Sequence, residues 1–517
     1  MDSPADRADV GHTRRTETAE PPAEPADTAH PPASSVPGRA SAAVAGTTGA
    51  AEALTDAALP FAPSSLAGSL HARARLVLED NWQGASTVPS RSLYPHQWSW
   101  DSAFVAIGLR HLSPLRAQTE LRTLFSAQWD DGRIPHIVFN PAVPHDAYFP
   151  SPDFWRSTTA GRPSGAPPAV QTSGIVQPPV HALAVWLTHR ADPGLSRTNG
   201  FLRRAYPKLV SWHNYLLRHR DLGAGGLVSV VHPWEQGMDN SPCWDPPLSR
   251  VTPAPAGSFT RADLAHGAPE DRPTDLDYGR YVKLAMDYRD RGYVDGGGEF
   301  AVEDPAFNAL LIASEHALGL IETELGIRSA ARHARAARLT RALVDRLWDE
   351  RHGAFLCRDV LTGELIEEHG VASLIPLILP ALDEGTARAL VGTLCGPRFG
   401  LGSSTRLVPS YDLTGACFDP HRYWRGPAWF NVGWLMEHGL RLHGHGELAA
   451  ALREALLTTA GSSDFAEYVD PYTGEACGAR EFSWTAALTL DLLHRSEEAF
   501  DDVAHSLRAA AEDSVPH

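Results

Sequence analysis

Lysine is nearly missing from this chain. Of 45 basic side chains in 517 residues only Lys208 and Lys283 are lysines, the rest being arginines, so a Schiff-base mechanism has few candidates. Cysteine is scarce as well. Cys243, Cys357, Cys395, Cys417 and Cys477 are odd in number, widely spaced and include no C-x-x-C pair, which argues against a disulfide framework or a structural zinc site. No window approaches 18 uninterrupted apolar residues, so no transmembrane helix is expected. Positive charge is not in excess: 62 acidic against 45 basic side chains leave a formal charge of −17, which disfavours nucleic acid or an anionic membrane as the main partner. No apolar stretch follows Arg14-Arg15, so secretory and twin-arginine export both lack support and a reducing cytoplasm is the expected location. Residues 1–65 contain no lysine and no aromatic residue before Phe61; this Ala- and Pro-rich segment cannot bury enough apolar surface to offset its ordering entropy and reads as a disordered tail.

What remains is ordinary in composition, 43% hydrophobic and 21% charged, and long enough for a large core. From residue 66 amphipathic stretches recur, near 66–80, 101–113, 115–128, 178–190, 196–218, 276–290, 305–325, 328–349, 384–394, 427–442, 447–460 and 484–495. In 305–325 the residues Ala309, Leu310, Ile312, Ala313, His316, Ala317, Leu320 and Ile321 follow helical spacing and predict one apolar stripe. Strand signals are few; 353–360, a turn at 361–363 and 364–366 read as a small hairpin. Without strand–helix alternation a Rossmann or (β/α)₈ fold is disfavoured. About a dozen helices joined by long and short loops suit an (α/α)₆ barrel, a toroid of six helical hairpins, spanning residues 66–500 with a C-terminal tail at 501–517. Such a toroid leaves its long loops at one rim, where a pocket can form.

Familiar nucleotide, zinc and serine-nucleophile signatures do not occur. Gly296-Gly297-Gly298 has no preceding strand or following P-loop lysine, and the 24 histidines form no spaced ligand set. The notable features are loop clusters of Trp, Tyr, Asp and Glu. In Tyr94-Pro-His-Gln-Trp98-Ser-Trp100-Asp101-Ser-Ala-Phe104, the plain reading makes Asp101 a helix N-cap and the tryptophans core. The functional reading makes it a sugar subsite, with indoles stacking on pyranose faces and a carboxylate accepting hydroxyl hydrogen bonds. In Trp234-Glu-Gln-Gly-Met-Asp239-Asn-Ser-Pro242 the acids either bracket a turn or do chemistry. Two further clusters are Tyr423-Trp424-Arg-Gly-Pro-Ala-Trp429 and Glu467-Tyr-Val-Asp-Pro-Tyr-Thr-Gly-Glu475, the latter followed by Phe482-Ser-Trp484-Thr-Ala486. Taken alone, each could be core or solvated surface. Glycoside hydrolysis needs a protonated carboxyl for the leaving oxygen and a carboxylate on the anomeric side, in an aromatic-lined pocket. This inventory supplies both.

These motifs, with Gly132-Arg-Ile-Pro-His-Ile137, resemble glycoside hydrolase family 63 and its neighbours the trehalases over residues 66–495, and are most similar to its small bacterial members acting on glucosylglycerate or mannosylglycerate. The resemblance implies the (α/α)₆ fold, inversion at the anomeric carbon, Asp239 as general acid and Glu467 as general base, with Glu475 a near rival. It implies Asp101, Trp98, Trp100, Trp424 and Trp429 around the sugar. Arg272 and Tyr278 are implied as a clamp for the glycerate carboxylate, completed by Tyr94, Tyr148, Gln177 and Trp234. The plain alternative for Arg272 is a surface arginine offsetting its acidic neighbours. Asp239 should be raised toward neutrality by burial against Trp234 and by the charge of Glu467. No metal or organic cofactor is expected. The partner is a small glycoside, a neutral disaccharide such as trehalose or a non-catalytic sugar-binding role being the alternatives, and a homo-oligomer is left open. The tail is expected to be too short and polar for the β-sandwich domain and membrane anchor of the large N-glycan-processing members.

Overall fold

The computed structural model describes Ala62, residues 65–265 and residues 269–494. Apart from Ala62 and Ser65, the expected N-terminal tail lies outside the described residues, as does the segment 501–517. Twelve helices carry the architecture: α1 (Leu66–Asp80), α2 (Ser99–Leu109), α3 (Pro114–Ser126), α4 (His181–Ala191), α5 (Phe201–His219), α6 (Asp275–Asp290), α7 (Pro305–Glu324), α8 (Ala330–Leu347), α9 (Glu384–Cys395), α10 (Phe430–Leu442), α11 (Gly446–Ser462) and α12 (Ser483–His494). Local chemistry sets several of their starts. The side chains of Ser65, Ser113, Thr274, Asp304 and Asp383 each accept a backbone N–H of the first turn, and Pro114 and Pro305 sit where a missing N–H costs nothing.

The helices form an (α/α)₆ toroid. Its inner ring closes through contacts α2 to α4, α4 to α7, α7 to the 3₁₀ turn Ile375–Ile378, that turn to α10, α10 to α12, and α12 back to α2. The outer members alternate with these along the chain: α1, α3, α5, α8, α9 and α11. Burial follows position. Outer α5 hides one face through Leu202, Ala205, Leu209, Trp212 and Leu216, whereas α7 is buried nearly all round. The single apolar stripe expected for 305–325 is therefore corrected: Ala313 and Leu320, placed on that stripe, are the half-buried positions, while Ser314, Glu315 and Asn308 are inside. An inner-ring helix has neighbours on every side, and its polar groups are satisfied in the core, Glu315 by His213 at 2.8 Å and by Arg332.

Two more expectations are revised. The fourth inner position is one short turn, not a helix, because Pro376 and the brief run Ile375–Ile378 support no more. Helix α6, counted toward the dozen, stands outside the ring. The hairpin at 353–366 forms around its expected turn, closed by Gly363 N–H to the Asp359 carbonyl at 2.8 Å, Asp359 N–H to the Glu364 carbonyl at 3.0 Å and Ile366 N–H to the Cys357 carbonyl at 2.8 Å. Its first arm is shared, however: β6 (Ala354–Phe355) pairs with β5 (Trp348–Asp349) and β7 (Arg358–Asp359) also pairs with β4 (Val302–Glu303).

The short strands tie together loops at the site. β1 (Gln97–Trp98) pairs with β2 (Ile137–Val138), joining the first motif to the Gly132–Ile137 segment. β9 (Tyr468–Val469) lies between β8 (Ala428–Trp429) and β10 (Ala476–Cys477), with Trp429 opposite Tyr468. β3 (Ser229–Val230) pairs with β4 just ahead of the Trp234 cluster. Among the described residues no helix is long and apolar enough to cross a membrane.

Candidate active site

Four loop clusters far apart in sequence meet in one cavity with an empty volume of about 840 Å³ including its mouth. Its wall includes Tyr94, Trp98, Trp100, Asp101, Tyr148, Gln177, Trp234, Asp239, Arg272, Tyr278, Trp429 and Glu467. Of the residues singled out from sequence, Trp424 is the one held back from the wall. It is 1% exposed and stacks on Trp429 at 3.9 Å between ring centroids, so Trp429 takes the lining place and Trp424 fixes its plane. Glu475 is exposed on the turn beyond β9, whereas Glu467 is 2% exposed and faces the cavity. Asp101 is not an N-cap: Trp98 holds that position and Asp101 lies in the first turn of α2.

Asp239 is pinned through its backbone. Its carbonyl accepts the Tyr281 hydroxyl at 2.8 Å, the preceding Met238 carbonyl accepts Trp244 Nε1 at 2.7 Å, and Asn240 Oδ1 accepts the Trp424 N–H at 2.8 Å. The turn before it begins at His232, whose Nδ1 accepts the Trp234 N–H while Nε2 faces the Tyr281 carbonyl at 2.9 Å. Burial pushes His232 down to about 3, so a neutral ring with Nε2–H donating fits both contacts. Gly237 ends the turn at φ 77°, and a Cβ there would stand 2.5 Å from the Trp100 ring; only glycine meets both demands. Glu235, fully buried, accepts Arg220 through two bonds of 2.6 and 2.7 Å and the N–H groups of Val176 and Val231. It thereby fastens the acid loop to the segment that carries Gln177.

Glu467 has a different surrounding. Oε1 accepts the Tyr94 hydroxyl at 3.0 Å, Oε2 accepts the Ala479 N–H at 3.0 Å, and Tyr423 also hydrogen-bonds to it. Arg272 Nη2 lies 3.7 Å from Oε2. Gly478, at φ 67°, leaves room for this carboxylate, since a Cβ there would be 2.5 Å from Oε2. Arg272 is 6% exposed, donates to the Tyr94 hydroxyl at 3.3 Å and lies over the Tyr423 ring at 4.7 Å. It is a buried cavity residue and not the surface arginine of the plain alternative.

Burial raises both carboxyls, but their neighbours differ. Burial pushes Asp239 up to about 7, opposed by Arg272 and reinforced by Glu467 and Asp263. Glu467 is also raised by burial, but Arg272, the Ala479 N–H and two tyrosine hydroxyls all favour its ionised form. Asp101 is raised well above the carboxylate range, chiefly by burial, against its own backbone hydrogen bond and with Glu467 and Glu120 adding. Beneath it Glu120 accepts Ser102 Oγ at 2.6 Å, Gln97 Nε2 at 3.0 Å and the Thr87 N–H at 2.6 Å. This arrangement offers one carboxyl able to give a proton and one poised to take one, between aromatic walls. His136, Tyr423, Phe482 and Trp484 join the wall from segments already noticed in sequence. Asp263 joins it from a loop whose one nearby aromatic is Phe259 and which carries none of the Trp and Tyr clustering that marks the other segments.

The chain matches the family model described as the mannosylglycerate hydrolase MGH1-like glycoside hydrolase domain over residues 94–485. It is 42% identical to a mannosylglycerate hydrolase of Rubrobacter radiotolerans over 82% of this chain and 96% of that protein. It is 39% identical to a glucosylglycerate hydrolase of Mycolicibacterium hassiacum over 84% of this chain and all of that protein. Among solved structures, a glycoside hydrolase family 63 mannosylglycerate hydrolase from Thermus thermophilus in complex with Tris and D-glycerate gives a TM-score of 0.74 at 39% identity, covering 82% of this chain and 99% of its own.

Proposed function

This chain belongs to the MGH1-like glycoside hydrolase family and is a glycoside hydrolase, and from that premise we propose that it cleaves the α-glycosidic bond of glucosylglycerate or mannosylglycerate, with inversion, to release the sugar and glycerate. Asp239 is the acid that protonates the glycosidic oxygen. Glu467 takes a proton from the water that attacks the anomeric carbon from the opposite face. Trp98, Trp100, Asp101 and Trp429 hold the sugar, with Trp424 bracing Trp429. Arg272 faces the glycerate carboxylate, with Tyr94, Tyr148, Gln177, Trp234 and Tyr278 around it.

The observation that carries this reading is the meeting of a carboxyl raised to about 7 with a carboxylate hydrogen-bonded by three donors beside a buried arginine. A burial-raised acid stays protonated near neutrality; the donors keep its partner a base. The arginine explains the aglycone, because a buried carboxylate must be met by a cation or several donors. Two relatives named for glycosylglycerates and one solved with D-glycerate support the same choice. A cytoplasmic location accords with five free cysteines. The test is an initial-rate comparison on glucosylglycerate, mannosylglycerate, trehalose and maltose. A glycosylglycerate should be preferred; faster cleavage of trehalose or maltose would overturn the aglycone assignment.

A further inference from the structure

Among the described residues four carboxyl groups line the cavity: Asp101, Asp239, Asp263 and Glu467. Three have duties in the reading above; Asp263, beyond adding to the charge that raises Asp239, contacts no part of the substrate in that reading. We propose that Asp263, clamped by Arg261, is a specificity-determining residue that accepts a hydrogen bond from the free hydroxymethyl group of the aglycone. The inference rests on the glycosylglycerate reading and deepens it.

Asp263 is built into place. Arg261 holds it through Nε to Oδ1 at 2.9 Å and Nη2 to Oδ2 at 2.8 Å. The same guanidinium donates to Asp275 at 2.7 Å and to the Pro273 carbonyl at 2.9 Å, and lies over the Tyr278 ring at 4.3 Å. It therefore fixes Asp263 against the stretch that bears Arg272 and Tyr278, the aglycone end of the cavity. The Asp263 side chain is 17% exposed and Arg261 takes one acceptor direction on each oxygen, so others remain open to the cavity.

A glycerate joined through its central oxygen presents two groups to the wall, a carboxylate and a hydroxymethyl. Arg272 suits the first and can only donate. The hydroxymethyl O–H needs an acceptor once buried. The Tyr278 hydroxyl already donates to the Phe149 carbonyl and the Tyr94 hydroxyl to Glu467, and a carboxylate accepts more strongly than either phenol oxygen. Arg261, bound to both oxygens of Asp263, offsets the repulsion that two nearby carboxylates would otherwise feel.

The test compares kcat/KM for a glycosylglycerate and for the matching glycosyl lactate, in which a methyl replaces the hydroxymethyl, in wild type and Asp263→Ala. Wild type should favour glycerate by about tenfold or more, the usual effect of a lost bond to a charged acceptor. Asp263→Ala should bring the ratio near one by losing more activity on the glycerate compound than on the lactate, both sharing the smaller loss that follows when the Asp263 charge no longer raises Asp239. If Asp263→Ala lowers the thermal midpoint, Asp263→Asn, which keeps shape and one Arg261 contact, should still lower the ratio. Equal losses on both substrates, or an unchanged ratio, overturn the assignment. A wild type that cleaves trehalose but neither acid-bearing glycoside would overturn the glycosylglycerate reading, and this inference with it.

Discussion

Replacing Arg272 by methionine should move the whole pH profile to higher pH and not merely lower it. Arg272 is buried and 3.7 Å from Glu467 Oε2. At an effective dielectric constant of about 20, that separation corresponds to about 4 kcal/mol of attraction, or about three pH units. This is an upper bound, since water entering the space and the donors from Tyr94, Tyr423 and Ala479 make up part of the loss. A rise of at least about one unit in the acid limb, which follows ionisation of the base, is the expected remainder. Arg272 also pulls Asp239 down from the level set by burial, so the alkaline limb should rise too. The assay is kcat/KM from pH 4 to 10 on an uncharged aryl glycoside, which lacks the glycerate carboxylate. Arg272→Lys is the control: it keeps the charge, so its profile should stay near wild type, while its KM for glycosylglycerate rises because the planar two-bond contact is gone. A lowered profile with unmoved limbs in Arg272→Met would refute the claim that this guanidinium sets the protonation of the pair.

Asp239→Asn and Glu467→Gln should each cut turnover by about 10² to 10⁴ with a preserved circular dichroism spectrum, while Glu475→Gln, exposed beyond β9, keeps near-wild-type rates. An inactive Glu475→Gln beside an active Glu467→Gln would reverse the base assignment. Gly478→Ala places a Cβ 2.5 Å from Glu467 Oε2 at a φ of 67°; kcat should fall at least about tenfold with little change in KM, as for a displaced base. Glu120 is raised by burial to about 7, so the folded state holds its proton through a range where the unfolded chain has released it. The stability it contributes is complete below pH 4.5 and is lost as pH rises through 7. Relative to Glu120→Gln, which mimics the protonated acid at every pH, wild type should therefore lose about 3 kcal/mol of stability from pH 4.5 to 8 in denaturant titrations, and a difference that does not change with pH would contradict the burial argument.

The parts of this molecule legible in sequence were those that repeat a local rule. Amphipathic spacing located eleven ring helices to within a few residues, and the loop clusters named most of the cavity wall. What escaped depends on neighbours distant in the chain. The inner position filled by Ile375–Ile378 is helical in role but not in length, and only closure of the ring reveals it. The polar buried face of α7 is invisible to periodicity because Glu315 is satisfied by His213 and Arg332. Trp424 and Trp429 are alike in sequence; stacking puts one behind the other. Glu467 and Glu475 share one motif, and their separation in burial comes from the β8–β9–β10 sheet. Asp263 carries no local mark, and its place depends on Arg261 reaching Asp275 and Pro273.

The central claim is direct displacement by water, with Asp239 giving and Glu467 taking a proton. It is tested most directly by following the anomer of free sugar released from an α-glycosylglycerate by proton NMR, within the first minutes and before mutarotation. The account predicts that the β-anomer appears first, at a rate that collapses in Glu467→Gln. Initial release of the α-anomer would mean retention through a covalent intermediate and would contradict it.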